Sequence, residues 1–315
     1  MGLTNFPKGV TSFGIPQISG GRFSSPWATH YFVDGDNGSD GNTGLEPSQA
    51  FKTIQYAVTN SIGGDVIYIR AKSYTINTGF ARYTEDVTVT LGGDGGTGKT
   101  ATNARKSIIG VTSNVAPSDF GGVRWKFLTA TNLTVNAPAL HVESIGFFSE
   151  SATYGILLQN NGATLTTMGS NGFSLYNCAL KGKGLYILSG GDGVTIDHCR
   201  FQSAFDGTVA QLNASALANP GRRLAVRDCE WMGGNGTAPS APCIVGAGPW
   251  TETVIRDCYF PEDPSGSIYI NFTGANTGAV SNCHFACADV STGRIVEGGL
   301  ICTGIYDGGG LSTAT

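Results

Sequence analysis

The chain has 315 residues and a net charge of −4, and its 13% of charged residues falls well short of the typical ~25%. Forty-seven glycines, about double the usual share of roughly 7%, describe a turn-rich all-β protein rather than a helical one. A weakly acidic chain lacks the basic face that nucleic acid requires, and no apolar run approaches the ~20 residues of a membrane span or forms a signal-peptide core; neither nucleic acid nor membrane is an expected partner.

Residues 1–30 carry Pro and Gly every few positions and no sustained period. Leu3, Phe6, Val10, Phe13 and Ile15 are nonetheless more apolar than a disordered tail usually is. The favoured reading is an extended arm that binds a partner surface through these five residues. The alternative is a strand and loop folded back on its own domain.

Residues 31–76 read as a cap and first coil. Tyr31–Val33 is strand-like, and the loop Asp34–Asn42 is rich in Asp, Asn and Gly. That loop gathers oxygen ligands as a calcium loop does, but the twelfth position holds Leu45 or Pro47 instead of a bidentate Glu. Turn chemistry is the simpler reading, and no metal or other cofactor is expected. Ala50–Val58 shows the i, i+3, i+4, i+7 apolar spacing of a short amphipathic helix, with Ser48 as its N-cap. Val66–Ile69 follows as a strand. A helix ahead of the first coil would cover the open end of a solenoid.

This stretch, from Tyr31 through Thr75, resembles the N-terminal cap and first coil of the pectate-lyase-like right-handed parallel β-helix superfamily. The opening MGLTNFPKGVTSFGIP is further similar to the start of tailed-bacteriophage virion proteins that carry such a β-helix. The resemblance implies a right-handed solenoid with a structural role on a phage particle, often as a homotrimer. It carries over no catalytic motif residue by residue.

Gly93–Thr100 satisfies the P-loop pattern after an apparent strand, Val87–Leu91. Only Ala101–Lys106 separates it from the next strand, Ser107–Val111, too little for the helix whose N-terminus faces phosphate. An exposed loop between coils is expected there. Val123–Leu128 and Leu133–Val135 are strand-like, with irregular connections.

From Leu175 a six-residue pattern returns five times: aliphatic, polar, Asn/Asp (His once), Cys, variable, large apolar. The copies place Cys178, Cys199, Cys229, Cys258 and Cys283 at the fourth position. Leu180, Phe201, Trp231, Phe260 and Phe285 stand at the sixth. A degenerate copy, Val142–Phe147, has Ile145 in the Cys place. Spacings of 33, 21, 30, 29 and 25 residues exclude rigid helical arrays and suit β-coils with turns of differing length. Read as one strand per copy, Cys and the residue two later share a face, so both rows stack inside a parallel β-helix. Free buried thiols are expected over disulfides or metal ligation, because five of the eight Cys occupy equivalent places.

Two long excursions, 202–222 and 232–252, follow the same strand in successive coils and are expected to protrude together, Trp250 with them. Asp307–Thr315 reads as a loose or exchanged tail. Outward carboxylates include Asp197, Asp206, Glu230, Glu252, Glu262 and Asp263. Asp228 and Asp257 fall about one strand spacing (~4.8 Å) apart on adjacent coils, the separation of a retaining glycosidase pair. Asn177 and Asn282 at the same place favour a turn-capping row instead. His141, His198 and His284 show no nucleophile–base spacing along the sequence.

The expectation is therefore an all-β chain, a single-stranded right-handed parallel β-helix with a short capping helix and an N-terminal arm. Its parts are the arm (1–30), cap and first coil (31–76), β-helix (77–290) and Gly-rich tail (291–315). The resemblance implies a structural role on a phage particle, and 315 residues holding one β-helix with a short arm favour head over tail: the expectation is a non-enzymatic head decoration or cement protein on the capsid exterior, made in the host cytoplasm and bound to major capsid or other virion proteins. The alternative is a tailspike-like β-helix that binds or cleaves host surface glycan.

Overall fold

The computed structural model describes residues 11–12, 15–16, 28–75, 79–90, 105–111, 122–149, 154–159, 170–188, 191–202, 210–214, 221–232, 242–260, 268–286, 295–307 and 310–312. From Val66 onward the chain repeats one circuit: a strand in a first sheet, a strand in a second, a strand in a third, then back to the first. The first and second sheets have ten strands and the third has eight. Every pairing between successive circuits is parallel, with Val142 beside Ile108 on one side and Leu175 on the other. This is a parallel β-helix. Its strands bury their apolar side in one continuous column, with Leu175, Ile196, Val226, Ile255 and Val280 forming an inner row of the first sheet.

The six-residue motif is a corner, not one strand. Ser174–Tyr176 ends in the first sheet and Ala179–Gly182 begins in the second, and the copies at 195–202, 225–232, 253–260 and 278–285 bend likewise. The third motif residue makes the bend with positive φ: 52° at Asn177, 53° at His198, 50° at Asp228, 55° at Asp257 and 51° at Asn282. Asn and Asp tolerate this left-handed conformation better than other side-chain-bearing residues, which explains their place in the pattern. Cys follows the bend and points inward; the residue two later also points inward, now from the second sheet. Cys178, Cys199, Cys229, Cys258 and Cys283 are buried and carry free thiols. Each thiol faces the carbonyl two residues back, for example Cys229 Sγ to Arg227 O at 3.0 Å and Cys199 Sγ to Asp197 O at 3.3 Å. A small side chain with a weak donor therefore fills the inside of the bend. Burial pushes the Cys178 and Cys229 thiols up and that of Cys243 to about 12, the direction of thiols that pack a core.

Beside the thiols runs the aromatic row. Trp231 lies between Phe201 at 4.7 Å and Phe260 at 4.9 Å, and Phe260 stacks on Phe285 at 4.6 Å, all with near-parallel rings. Leu180 continues the row to Phe147 and Trp125.

The helix is shorter and later than its spacing suggests: it spans Ile54–Asn60, and Thr53, not Ser48, is its N-cap. Ala50 and Phe51 are extended because Phe51 bridges Val33 and donates its N–H to the Phe32 carbonyl. Both helix ends meet opposite charge. Glu85 accepts from the N–H groups of Ile54 and Gln55 at 2.9 and 3.0 Å. The buried Lys106 donates to the Val58 carbonyl at 2.7 Å. Ile54, Ala57 and Val58 plug the column beneath.

The loop 34–42 is held by turn chemistry. Asp34 accepts from Asp36 and Asn37 and from the Arg70 guanidinium at 2.6 Å, while Asp40 accepts from Lys52 and Thr53. The excursions at 202–222 and 232–252 each carry the third-sheet strand of their circuit, Leu212–Ala214 and Ile244–Ala247. Trp250 is fully buried rather than displayed, because its ring closes against Gly221, where a Cβ would stand 2.4 Å from it. The tail is not loose throughout: Gly310–Ser312 pairs antiparallel with Ile305–Asp307. Leu3, Phe6, Val10, Phe13 and the P-loop look-alike Gly93–Thr100 lie outside the described residues, as do Asp206, Glu262 and Asp263. Ile15 belongs to a two-stranded pairing with Ser12.

Candidate functional site

Three parallel rows run along the outer side of the corner between the first and second sheets; Asp197 in the first and Ala179 in the third are buried, and the others reach solvent to differing degrees. The first row, on the edge of the first sheet, runs Tyr176, Asp197, Arg227, Arg256, Ser281. The second is the positive-φ row itself. The third, on the outer face of the second sheet, runs Ala179, Arg200, Glu230, Tyr259, His284, Tyr306.

The third row changes character along the rod. Arg200 and Glu230 form an ion pair at 2.7 Å. Beyond them come three aromatic rings: Tyr259 is 50% exposed, Tyr306 is 37% exposed, and His284 stacks on Tyr306 at 4.7 Å with 13° between planes. An exposed ladder of rings is not needed for packing, since the inner face of the same strands already supplies Phe260 and Phe285 to the core.

The carboxylates lie beside it. Asp197 is almost buried and meets His198 Nδ1 at 2.6 Å, and donor atoms of Asp197, His198 and Asp228 all fall within 4.8 Å of one another. Tyr176 tilts against the His198 ring at 5.5 Å. Asp257 pairs with Arg256 at 3.0 Å, which gives it a different partner from Asp228. A close carboxylate pair on this corner is thus Asp197 with Asp228, beside the Asp228 and Asp257 that the coil spacing places on adjacent circuits. Adjacent coils bring the second-motif residue of one circuit against the third-motif residue of the next.

A seventh, C-terminal copy of the motif escaped the pattern. Cys302-Thr-Gly-Ile305-Tyr306-Asp307 pairs in register with the copy before it, and Gly304 makes the bend at a φ of 60°. Ile305 is buried in the Cys place. His141 also proves not to be isolated. It sits between Ser174 and Glu143 at hydrogen-bond distance.

No protein-family model matches the chain, and no curated protein matches it. Among solved structures, the crystal structure of the GH136 lacto-N-biosidase from Eubacterium ramulus, a selenomethionine derivative, is similar at 11% identity and a TM-score of 0.30. The match covers 88% of this chain and 67% of that one. The expectation of a non-enzymatic protein is corrected here, because the similar structure is that of an enzyme; at this identity and TM-score the likeness itself assigns no activity to the chain.

Proposed function

We propose that the chain is a β-helix of a tailed-phage particle that holds host surface glycan on the outer corner of its first and second sheets. The observation that carries the glycan part is the exposed row Tyr259–His284–Tyr306. Rings stacked along the rod turn their edges outward, offering a sugar apolar carbon edges together with phenol hydroxyls and imidazole nitrogens that bond its hydroxyl groups. The rings repeat at the ~4.8 Å strand spacing, so a chain of sugars running along the rod meets them in turn. Arg200, Glu230 and the Asx row alongside supply hydrogen bonds to hydroxyl groups. The test is binding of purified surface polysaccharide to the full-length protein by calorimetry. Tyr259→Ala together with Tyr306→Ala should abolish binding while the circular dichroism spectrum stays unchanged; undiminished binding by that double variant defeats the reading.

The particle location rests on the likeness of residues 1–16 to phage virion proteins. It brings with it major capsid or other virion proteins as partners, attachment through Leu3, Phe6, Val10, Phe13 and Ile15, and a homotrimer. Co-sedimentation of the full chain with particles lacking it, compared with a Phe6→Ala/Phe13→Ala variant, decides whether the arm anchors it.

A second reading, hydrolysis of the bound glycan, is favoured by one geometric fact. Carboxyl oxygens of Asp197 and Asp228 stand within 4.8 Å, near the ~5–5.5 Å of retaining glycosidases. Release of new reducing ends, lost in Asp228→Asn, is the expected outcome; intact polysaccharide after prolonged incubation rejects it.

A further inference from the structure

We infer that the outer face of the first sheet, near its N-terminal end, carries an acyl-transfer site in which Ser174 is the nucleophile, His141 the base and Glu143 the positioning residue. The argument begins with register. His141 and Ser174 are direct neighbours on adjacent parallel strands, and Glu143 lies two residues beyond His141 on the same face. The Ser174 hydroxyl stands 3.2 Å from His141 Nδ1, and the Glu143 carboxylate 3.1 Å from Nε2. With Nε2–H donating to Glu143, Nδ1 keeps its lone pair and accepts from Ser174 Oγ–H. This is nucleophile, base and orienting carboxylate in sequence, recognised by geometry and not by spacing along the chain.

The surroundings complete the site. A cavity of about 340 Å³ opens over the pair, lined by Arg105, Ala139, His141, Gly172 and Ser174. That volume lies at the lower end of small-ligand pockets, which suits a short acyl group more than an extended chain. The His141 side chain is 1% exposed, so the base is shielded from bulk water, while Ser174 is half-buried and reachable from the cavity. Arg105 brings a cation to the wall, where it can face the oxygen that becomes negative.

The substrate class is a small carboxylic ester, such as an O-acyl group on a sugar. Ser174 Oγ attacks the carbonyl carbon as its proton passes to His141. The ester C–O bond then breaks, and the alcohol leaves with that proton. Water next attacks the acyl-serine, again giving a proton to His141, and the carboxylic acid departs as Ser174 recovers its hydrogen. No other reactant is required.

The test uses the full-length protein, 4-nitrophenyl acetate and a fluorophosphonate probe. Turnover should fall by about a hundredfold or more in Ser174→Ala, consistent with loss of a nucleophile and its base-assisted step. The probe should label Ser174, located by peptide mass spectrometry. Glu143→Gln should lower kcat with little change in KM and move the acidic limb of the pH–rate profile, which a purely structural role would not do. Wild-type turnover no faster than that of a folded Ser174→Ala overturns the proposal. If that variant does not fold, the wild-type labelling alone decides: probe on any other residue, or on none, is equally fatal.

Discussion

The inner and outer sides of one corner share a backbone and differ in almost everything else. Inside, five of seven consecutive copies place Cys at the bend, and four consecutive copies place an aromatic ring two residues later. Outside, the equivalent positions read Ala, Arg, Glu, Tyr, His and Tyr. The inner choices are set by space and by a carbonyl that a thiol can reach. The positive-φ row is set by conformation. The outer third row is under neither constraint, so its drift from an ion pair to a run of rings is not explained by folding and fits a surface shaped for a ligand.

Breaking the inner side should have the largest effect. Trp231→Ala removes a ring stacked on both faces and is expected to cost about 3–5 kcal/mol in chemical denaturation, as buried aromatic truncations do. A cost near zero would mean the stack does not support the rod. At the bend, Asn282→Val forces a β-branched residue to a φ of 51° and should cost about 1–3 kcal/mol, whereas Asn282→Gly should be close to neutral. Equal costs for both would show that the side chain, not the dihedral, matters there.

Acid should act more mildly, and at the cap and the coils next to it. Burial would raise the Asp34 carboxyl, but hydrogen bonds from Asn37, Arg70 and Asp36 outweigh it and hold the group below its ordinary 3.8. For Asp86 the same burial effect is overcome by Thr129, Leu128 and Ala130. A depressed folded value means stability that is present above about pH 3.8 and is lost as pH falls through the folded value. Melting temperature should therefore decline below that pH, and Asp34→Asn should flatten the decline. Least of all, Tyr306→Ala on the outer row should change stability by no more than about 0.5 kcal/mol while removing glycan binding, so denaturation and calorimetry should disagree at this residue.

The parallel rows were legible because the Cys and aromatic positions recur together, and a coil has few ways to satisfy both. The bend was not, since a six-residue copy reads equally well as one strand; only the shared Asx position hinted at a left-handed residue. The last copy stayed hidden because Gly304, Ile305 and Asp307 replace the Asx, Cys and aromatic residues by which the others are known. The Ser174–His141 contact spans 33 residues of sequence and exists only through the register of neighbouring coils. The helix cap moved to Thr53 because Phe51 was claimed by a tertiary bridge that no local pattern reveals.

The reversed strand Gly310–Ser312 has a consequence for assembly. Parallel coils invite another coil, from this chain or from a neighbour, to dock on the last one. Gly310–Ser312 instead occupies that edge of the second sheet with a strand running the other way, and at the opposite end the column is stoppered by the helix Ile54–Asn60. The two ends of the described solenoid are therefore unlike: a helix covers one, and a reversed strand borders the second sheet at the other.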